Sequence, residues 1–439
     1  MNKIILFFAF VFATINSKSQ SIYFPPTTGT DWETTSPASL GWCENNVDSF
    51  LNYLDTKNTK AFILLKDGKI VIEKYFGTFT QDSAWYWASA GKSLTSFMVG
   101  LAQQENYLSI NDKTSKYLGE GWTNCSLEQE NKITIRHQLT MTTGLDDGVE
   151  DPHCTIDTCL IYKADAGTRW AYHNGPYTVL DGVIENATGQ TLNNYVYQKL
   201  KTKTGISGLY FKTNFDNVFY SKARSMARYG LLILNKGNWD GTQILTDTTY
   251  FNEMTNTSQN LNKSYGYLWW LNGKQSFMIP QSQYVFQQKL CQNAPDDMFA
   301  AIGKNGQFIN VVPSQNLVFI RMGNAPDASE VPFTFNDTIW AKLNLVIYCG
   351  TTPFANYINN ENKNLKVYPN PSKNNFYVEF ENGKFDFQLF DVTGKLVCEK
   401  QNCIQKIEIN TSKYQNGIYF VQVKTDKNEI LNRKLMINQ

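Results

Sequence analysis

The spacing of apolar residues changes period several times along the chain. Val47, Phe50, Leu51 and Leu54 fall three or four apart, which predicts a helix over 43–57. The tract AFILLKDGKIVIEKYFG follows as two β-rich runs broken at Asp67–Gly68, a pairing that favours a tight hairpin. The segment 81–88 leads into a second helix, where Leu94, Phe97, Met98 and Leu101 recur at helical spacing from Ser89 onward. Residues 105–200 read as mainly helical and loop-rich, with a turn in LTMTTGLDDG near Gly144. ARSMARYGLLILNKG predicts a strong helix closed by Gly237. YGYLWWLNG, MFAAIGKNGQFINVVP and NLVFIRMG read as three consecutive strands, and a helix over 333–347 closes the region.

Strands therefore come first, then a helical insertion, then the remaining strands. That order predicts an α/β (α+β) fold: an antiparallel sheet whose early and late strands meet, flanked by helices, with an inserted all-helical lobe. The junction of the two lobes is where a cleft belongs. After Gly350 the character changes. TTPFANYINNENKNL is polar and Asn-rich, a linker over 351–365. Residues 366–439 alternate short β-rich runs with turns (FYVEF, FQLFDVTGKLV, IQKIEIN, GIYFVQVKT, KLMIN), which predicts a small all-β sandwich.

Composition adds three bounds. At 439 residues the chain has room for more than one domain, and its formal net charge of +1 gives no reason to expect a nucleic-acid partner. Asn2 and Lys3 precede an apolar run from Ile4 to Ile15 and the polar segment NSKSQS, which reads as a secretory signal peptide over 1–20. The main domain then spans 21–350, and no transmembrane segment is expected after signal cleavage. Eight cysteines fit an oxidising compartment. Cys154 with Cys159 and Cys398 with Cys403 bracket short loops and read as local disulfides. Connectivity of the other four does not follow from sequence; Cys43 with Cys349 and Cys125 with Cys291 are the favoured pairings, the first joining an N-terminal helix to a C-terminal one. With three histidines and no C-x-x-C, neither a zinc site nor another cofactor is expected.

Candidate chemistry sits in three places. Ser89 and Lys92 form the single S-x-x-K in the chain, at the first turn of a helix, so the lysine amine can reach the serine hydroxyl. Free backbone N–H groups at a helix start can stabilise an oxyanion, and burial would let Lys92 lose its proton. The letters AGKS are not a phosphate-binding loop, because Tyr86 stands where that motif needs glycine. Tyr172 and Asn174 form a Tyr-x-Asn after Gly167; a tyrosine hydroxyl beside an unprotonated lysine can relay a proton, and an Asn amide can donate and accept. Lys304, Asn305, Gly306 and Gln307 are read as lying on a strand, with the Gln307 N–H as second oxyanion donor and Lys304 as a cation at the cleft. No G-x-S-x-G elbow is present, and His137, His153 and His173 are read as structural, with His173 turned away from the cleft. Trp85, Tyr86, Trp87 and Trp170 flank the site in sequence; such aromatics are ordinarily core, with one or two left to line a pocket.

The order S-x-x-K, Tyr-x-Asn, K-x-G resembles the serine β-lactamase and penicillin-binding-protein superfamily, in particular its class C-like serine hydrolases. ITIRHQLTMTTGLDD, AGTRWAYHNGPYTVLDGVIENATGQ, ARYGLLILNKGNWDGTQIL and YGYLWWL extend the resemblance over about residues 40–347. It implies Ser89 as acylated nucleophile, Lys92 and Tyr172 as acid/base pair, and Asn174 as orienting residue. Asn305 stands where that family's K-T-G motif carries a hydroxyl, which argues against a true β-lactamase. VYPNPS, QLFDVTGKLV, NGIYFVQVKT and KLMIN resemble the C-terminal sorting domain of the type IX secretion system over 366–439. The resemblance implies that machinery as a partner, export through the periplasm, and a secreted or surface-attached protein. The expected activity is an acyl-enzyme hydrolase of small esters or amides. The alternatives are a β-lactamase, a D-alanyl peptidase, or a penicillin-binding or surface module that turns nothing over.

Overall fold

The computed structural model describes residues 22–349, 365–391, 396–426 and 430–438. The leader expected over 1–20 and all but Leu365 of the expected linker lie outside the described residues. In chain order, β1 (Thr59–Lys66) and β2 (Lys69–Tyr75) form the hairpin expected at Asp67–Gly68, where both residues have positive φ, 51° and 82°. β3 (Ala84–Tyr86), β4 (Leu209–Thr213) and β5 (Asp216–Lys222) make a three-stranded sheet in the order β3-β5-β4. β6 (Asn238–Trp239) and β7 (Thr242–Gln243) are a short ribbon. β8 (Trp270–Leu271), β9 (Phe299–Gly303), β10 (Gln307–Val312) and β11 (Leu317–Gly323) complete a six-stranded antiparallel sheet, ordered β2-β1-β11-β10-β9-β8. The first strand thus lies beside the last, with Ile63 opposite Ile320 and Phe62 opposite Arg321.

Both faces of this sheet are covered, so β9, β10 and β11 are buried along their whole length, while the edge strand β2 alternates. On one face, the helix Ala223–Leu234 sets Gly230 against Val318 and Ile309. A Cβ there would lie 2.5 Å from Val318 Cγ1, so glycine is what permits the close approach. On the other, the helices Val47–Thr56 and Phe333–Ile347 bring Phe50 to Phe62 and Trp340 to Phe319, with ring centroids 5.2 Å apart in both pairs. The Cys43–Cys349 disulfide joins these two helical ends, as favoured, and Cys154–Cys159 also forms.

The other two expected disulfides do not form. Cys125 and Cys291 are free: Cys125 packs against a small cluster in the helical lobe with Trp122, Ile133, Leu145 and Leu160, whereas Cys291 is buried in the main core. Cys398 and Cys403 are also free. They lie on the strand Leu396–Asn410, on either side of a bulge, and pair with Leu389 and Phe385, four residues apart on the neighbouring strand, so their Cα atoms are about 13 Å apart at about 3.3 Å per residue, beyond disulfide reach.

Two strand assignments also need correction. MFAAIGKNGQFINVVP is not one strand but the hairpin β9–β10, turning at Lys304–Gly306, where Asn305 and Gly306 have φ of 61° and 77°. The segment 209–222, which the pattern left unassigned, forms β4 and β5; Leu209 and Phe211 on β4 are exposed and break the alternation that marks a strand.

The C-terminal unit comprises β12 (Leu365–Tyr368), β13 (Asn375–Asp391), β14 (Leu396–Asn410), β15 (Gly417–Thr425) and β16 (Ile430–Ile437). It is all-β as expected, but it is one curled five-stranded sheet around Phe376, Phe387, Leu389, Val421 and Leu435, rather than two facing sheets. It packs on the main domain through Tyr284 against Phe390 and Phe286 against Phe420, at ring-centroid distances of 4.5 and 5.4 Å.

Candidate active site

The chain reaches Ser89 through a turn fixed at both ends. The Trp87 N–H donates to the Phe219 carbonyl of β5 and its indole N–H to Ser221 Oγ, each at 2.8 Å. Ala88 then takes φ of 46°, a left-handed conformation that costs energy for any residue with a Cβ. This places Ser89 in a single tight turn, Ala88–Gly91, that runs into the helix Lys92–Gln104. The expected helix is present, with its serine one turn before the regular part.

Lys92 Nζ lies 3.1 Å from Ser89 Oγ and 4.1 Å from the centre of the Tyr177 ring. The side chain is buried. Burial drives its pKa from 10.5 down to about 7, with the Asp216 and Asp181 carboxylates pulling the other way. A lysine in this state is partly neutral at physiological pH, and its amine can accept the serine proton.

Tyr172 arrives on a loop pinned by the Ala171 N–H donating to the Met141 carbonyl at 2.9 Å. Its ring stacks on Trp270, which with Tyr265 and Trp170 builds an aromatic shelf behind it. Burial raises its pKa, opposed by a hydrogen bond with the Ser89 side chain, so the phenol stays protonated next to the nucleophile. Asn174 opens the short helix Asn174–Thr178, with its Nδ2 3.2 Å from His153 Nε2. His153 Nδ1 in turn lies 2.7 Å from Asp216 Oδ1. His153 also lines the cleft. His173 is buried with its pKa pushed down to about 4 by that burial, and His137 caps its own helix by accepting the Thr134 N–H at 3.1 Å.

The third motif behaves differently from its reading as a strand. Lys304 is exposed and ion-paired with Glu330 at 2.9 Å. The Asn305 side chain donates to Tyr86 OH at 2.8 Å, and its N–H donates to the Glu330 carbonyl. Gly306 is buried over Arg321, whose guanidinium donates to the Asn305 and Gly306 carbonyls at 2.7 and 2.9 Å. Gln307 is buried and does not line the cleft, and its side chain is bound to Gly323. The strand residue that meets the nucleophile turn is Gly303: a Cβ there would lie 2.6 Å from the Trp87 carbonyl and 3.1 Å from the Ser89 nitrogen. Its signal in the sequence was the glycine that ends the first apolar run.

Ser89, Lys92, Tyr172, Asn174 and Lys304 all line one cleft of about 1270 Å³. Its lining includes the polar Asp147, His153, Asp216 and Tyr177 and the apolar Phe277, Ile279, Phe286, Phe333 and Phe335. Ile418, Phe420 and Met436 of the C-terminal unit form part of the rim. Of the four aromatics that flank the site in sequence, Tyr86 lines the cleft, while Trp87 and Trp170 are core. Tyr177, His153 and Asp216 were not singled out as site residues in the sequence; Tyr177 alone had a local signal, five residues past Tyr172. Among the described residues no group of three or more His, Cys, Asp or Glu side chains could hold a metal ion.

Residues 57–334 match the family described as beta-lactamase. The chain belongs to the β-lactamase family of serine hydrolases. It is 25% identical over 317 residues to an uncharacterised protein of Alkalihalophilus pseudofirmus, spanning 64% of this chain and 88% of that protein. It is 20% identical over 303 residues to the 6-aminohexanoate-dimer hydrolase of Paenarthrobacter ureafaciens, spanning 62% of this chain and 74% of the relative. The solved structure of a family VIII carboxylesterase shares the fold, with a TM-score of 0.52 at 14% identity over 71% of this chain and 99% of the esterase. Residues 366–438 match the secretion system C-terminal sorting domain, which indicates export by the type IX route. No helix among the described residues is long and apolar enough to cross a membrane.

Proposed function

We propose that this β-lactamase-family protein is an exported hydrolase of small esters or amides that works through an acyl-enzyme on Ser89. The observation that carries this reading is the 3.1 Å approach of Lys92 to Ser89 by an amine that burial holds near pKa 7. Lys92 takes the hydroxyl proton as Ser89 attacks the acyl carbon. Tyr172 passes that proton to the leaving oxygen or nitrogen, and water then releases the acyl group by the reverse relay. The oxyanion is held by the Ser89 N–H and by the N–H that follows Gly303, at Lys304, because the missing side chain of Gly303 lets the end of β9 lie against the Ser89 turn. Asn174 orients the substrate. The C-terminal unit directs passage through the type IX machinery, after which the protein is released or attached at the surface.

The substrate class is supported by the turn at Lys304–Gly306. A β-lactam carries a ring carboxylate that needs a hydroxyl and a cation near it. Here Asn305 is turned onto Tyr86 and Lys304 is paired with Glu330, while Phe277, Ile279, Phe286, Phe333 and Phe335 make much of the cleft lining apolar. The named relatives, an amide hydrolase and a carboxylesterase, agree with that chemistry. kcat/KM for nitrocefin, p-nitrophenyl butyrate and a D-alanyl amide on one preparation tests the reading. The butyrate ester is expected to be turned over best, and nitrocefin only slowly. Nitrocefin ahead by more than about a hundredfold, close to 2.7 kcal/mol in transition-state binding, would overturn it. Preference for the D-alanyl amide would instead mark a peptidase of cell-wall fragments.

A further inference from the structure

Asp216, His153 and Asn174 form a hydrogen-bonded line from β5, across the Cys154–Cys159 loop, to the residue two positions beyond Tyr172. We propose that Asp216 and His153 are positioning residues that set which end of the Asn174 amide faces the substrate. This rests on the acyl-transfer reading of Ser89 and adds two residues that no motif marks.

The donor and acceptor roles follow from the ends of the line. A carboxylate can only accept, so the ring atom 2.7 Å from Asp216 Oδ1, Nδ1, carries a proton. Burial of Asp216 works to raise its pKa, but the hydrogen bond from His153 and the nearby Lys92 and Lys304 charges outweigh it and keep the carboxyl below its ordinary range. In the Nδ1–H tautomer the lone pair lies on Nε2, the atom that the Asn174 Nδ2 faces. The Asn174 atom 3.2 Å away must then be the NH2 group, donating. The amide is planar, so its Oδ1 is held on the side away from His153. That acceptor is what the N–H of a scissile amide, or the protonated Lys92 of the relay, needs. A flipped amide would offer a donor instead.

The histidine is fixed where it can do this. Its own N–H donates to Asp151 Oδ1 at 2.9 Å, and the Gly175 N–H, next to Asn174, donates to the Pro152 carbonyl at 2.9 Å. A Cβ on Gly175 would lie 2.3 Å from the Cys154 carbonyl, so the loop and the Asn174 turn are in direct backbone contact. The two side chains are about 40% exposed, at 41% and 42%, which leaves them reachable from the cleft.

Three variants separate positioning from mere packing. His153→Gln keeps a donor for Asp216 and an acceptor for Asn174; kcat on p-nitrophenyl butyrate should stay within about threefold, with thermal stability unchanged. His153→Ala removes the acceptor and should lower kcat by ~10-fold or more with little change in KM. His153→Lys keeps the pairing with Asp216 but offers Asn174 only donors, so it should be at least as slow as the Ala variant although folded. A Lys variant with wild-type kcat, or a Gln variant as slow as the Ala one, overturns the proposal. A second readout does not depend on hydrolysis. With three histidines in the chain, the 15N side-chain spectrum of the unmodified protein can be assigned by difference with the Gln variant. The His153 ring should show the Nδ1–H tautomer; an Nε2–H tautomer sinks the positioning role. Intact tautomer with Ser89→Ala still fully active would instead sink the acyl-enzyme reading.

Discussion

Lys92 is enclosed by the Tyr177 and Tyr172 rings, and its charge is opposed by that burial. Only the neutral amine can accept the Ser89 proton, so kcat/KM should fall as pH drops through about 7 and level off above it. Asp181 tunes this limb. It is buried behind the lysine, with one oxygen 2.6 Å from Asn217 Nδ2. Burial lifts its own pKa to about 7 against that hydrogen bond. An ionised carboxylate there favours protonated Lys92, so Asp181→Asn should shift the acid limb to lower pH; a limb that stays put or moves upward contradicts the account. Ser89, Lys92 and Tyr172 could be found from sequence because their chemistry is written in local spacing on a helix start and a short loop. His153 could not, because what gives it a role is Asp216, sixty-three residues away on a strand whose pattern did not register.

The element that brings the last part of the site into place is the β9–β10 hairpin. Its turn is held from below by Arg321, fully buried, whose guanidinium also donates to the Lys57 and Asn324 carbonyls at 2.7 and 3.1 Å. Above, Gly303 presses on the Ser89 turn through its backbone. Gly303→Ala puts a Cβ within 2.6 Å of the Trp87 carbonyl, so one of the two elements must move. We expect kcat to fall by ~10-fold or more with the protein still folded, since a shift of about 1 Å at the oxyanion donors is costly. An unchanged kcat would remove β9 from the oxyanion site. The hairpin also marks where pattern reading stopped short: Asn305–Gly306 between two apolar runs is itself a strong hairpin signal, and reading the tract as one strand missed the turn that separates Gly303 from Gln307. Likewise the spacing of Cys398 and Cys403 suited a loop, and only their common extended strand shows that they cannot meet.

At the scale of the whole molecule, two cores meet at the rim of the cleft. The six-stranded sheet, the Cys43–Cys349 bridge and Ser89, Lys92 and Tyr172 lie in the first; the C-terminal sheet has its own apolar centre and adds Ile418, Phe420 and Met436 to the cleft lining. A chain ending at Gly350 should therefore fold and hydrolyse p-nitrophenyl butyrate within about threefold of the full chain, while losing export. Insolubility, or loss of turnover, would show that the tail completes the fold. The early-strand, helix, late-strand order was readable because the apolar runs are long and buried on both faces; the packing of Phe420 and Phe390 onto Phe286 and Tyr284 was not, since nothing local encodes a contact across so many residues. The central claim is that Ser89 becomes acylated because Lys92 is a buried, poised base. Intact-mass and peptide mapping after a fluorophosphonate probe, on the wild type, Ser89→Ala and Lys92→Ala, tests it most directly. The account predicts one adduct on Ser89 in the wild type, none in Ser89→Ala, and labelling slowed by orders of magnitude in Lys92→Ala; equal labelling of the wild type and Ser89→Ala would contradict it.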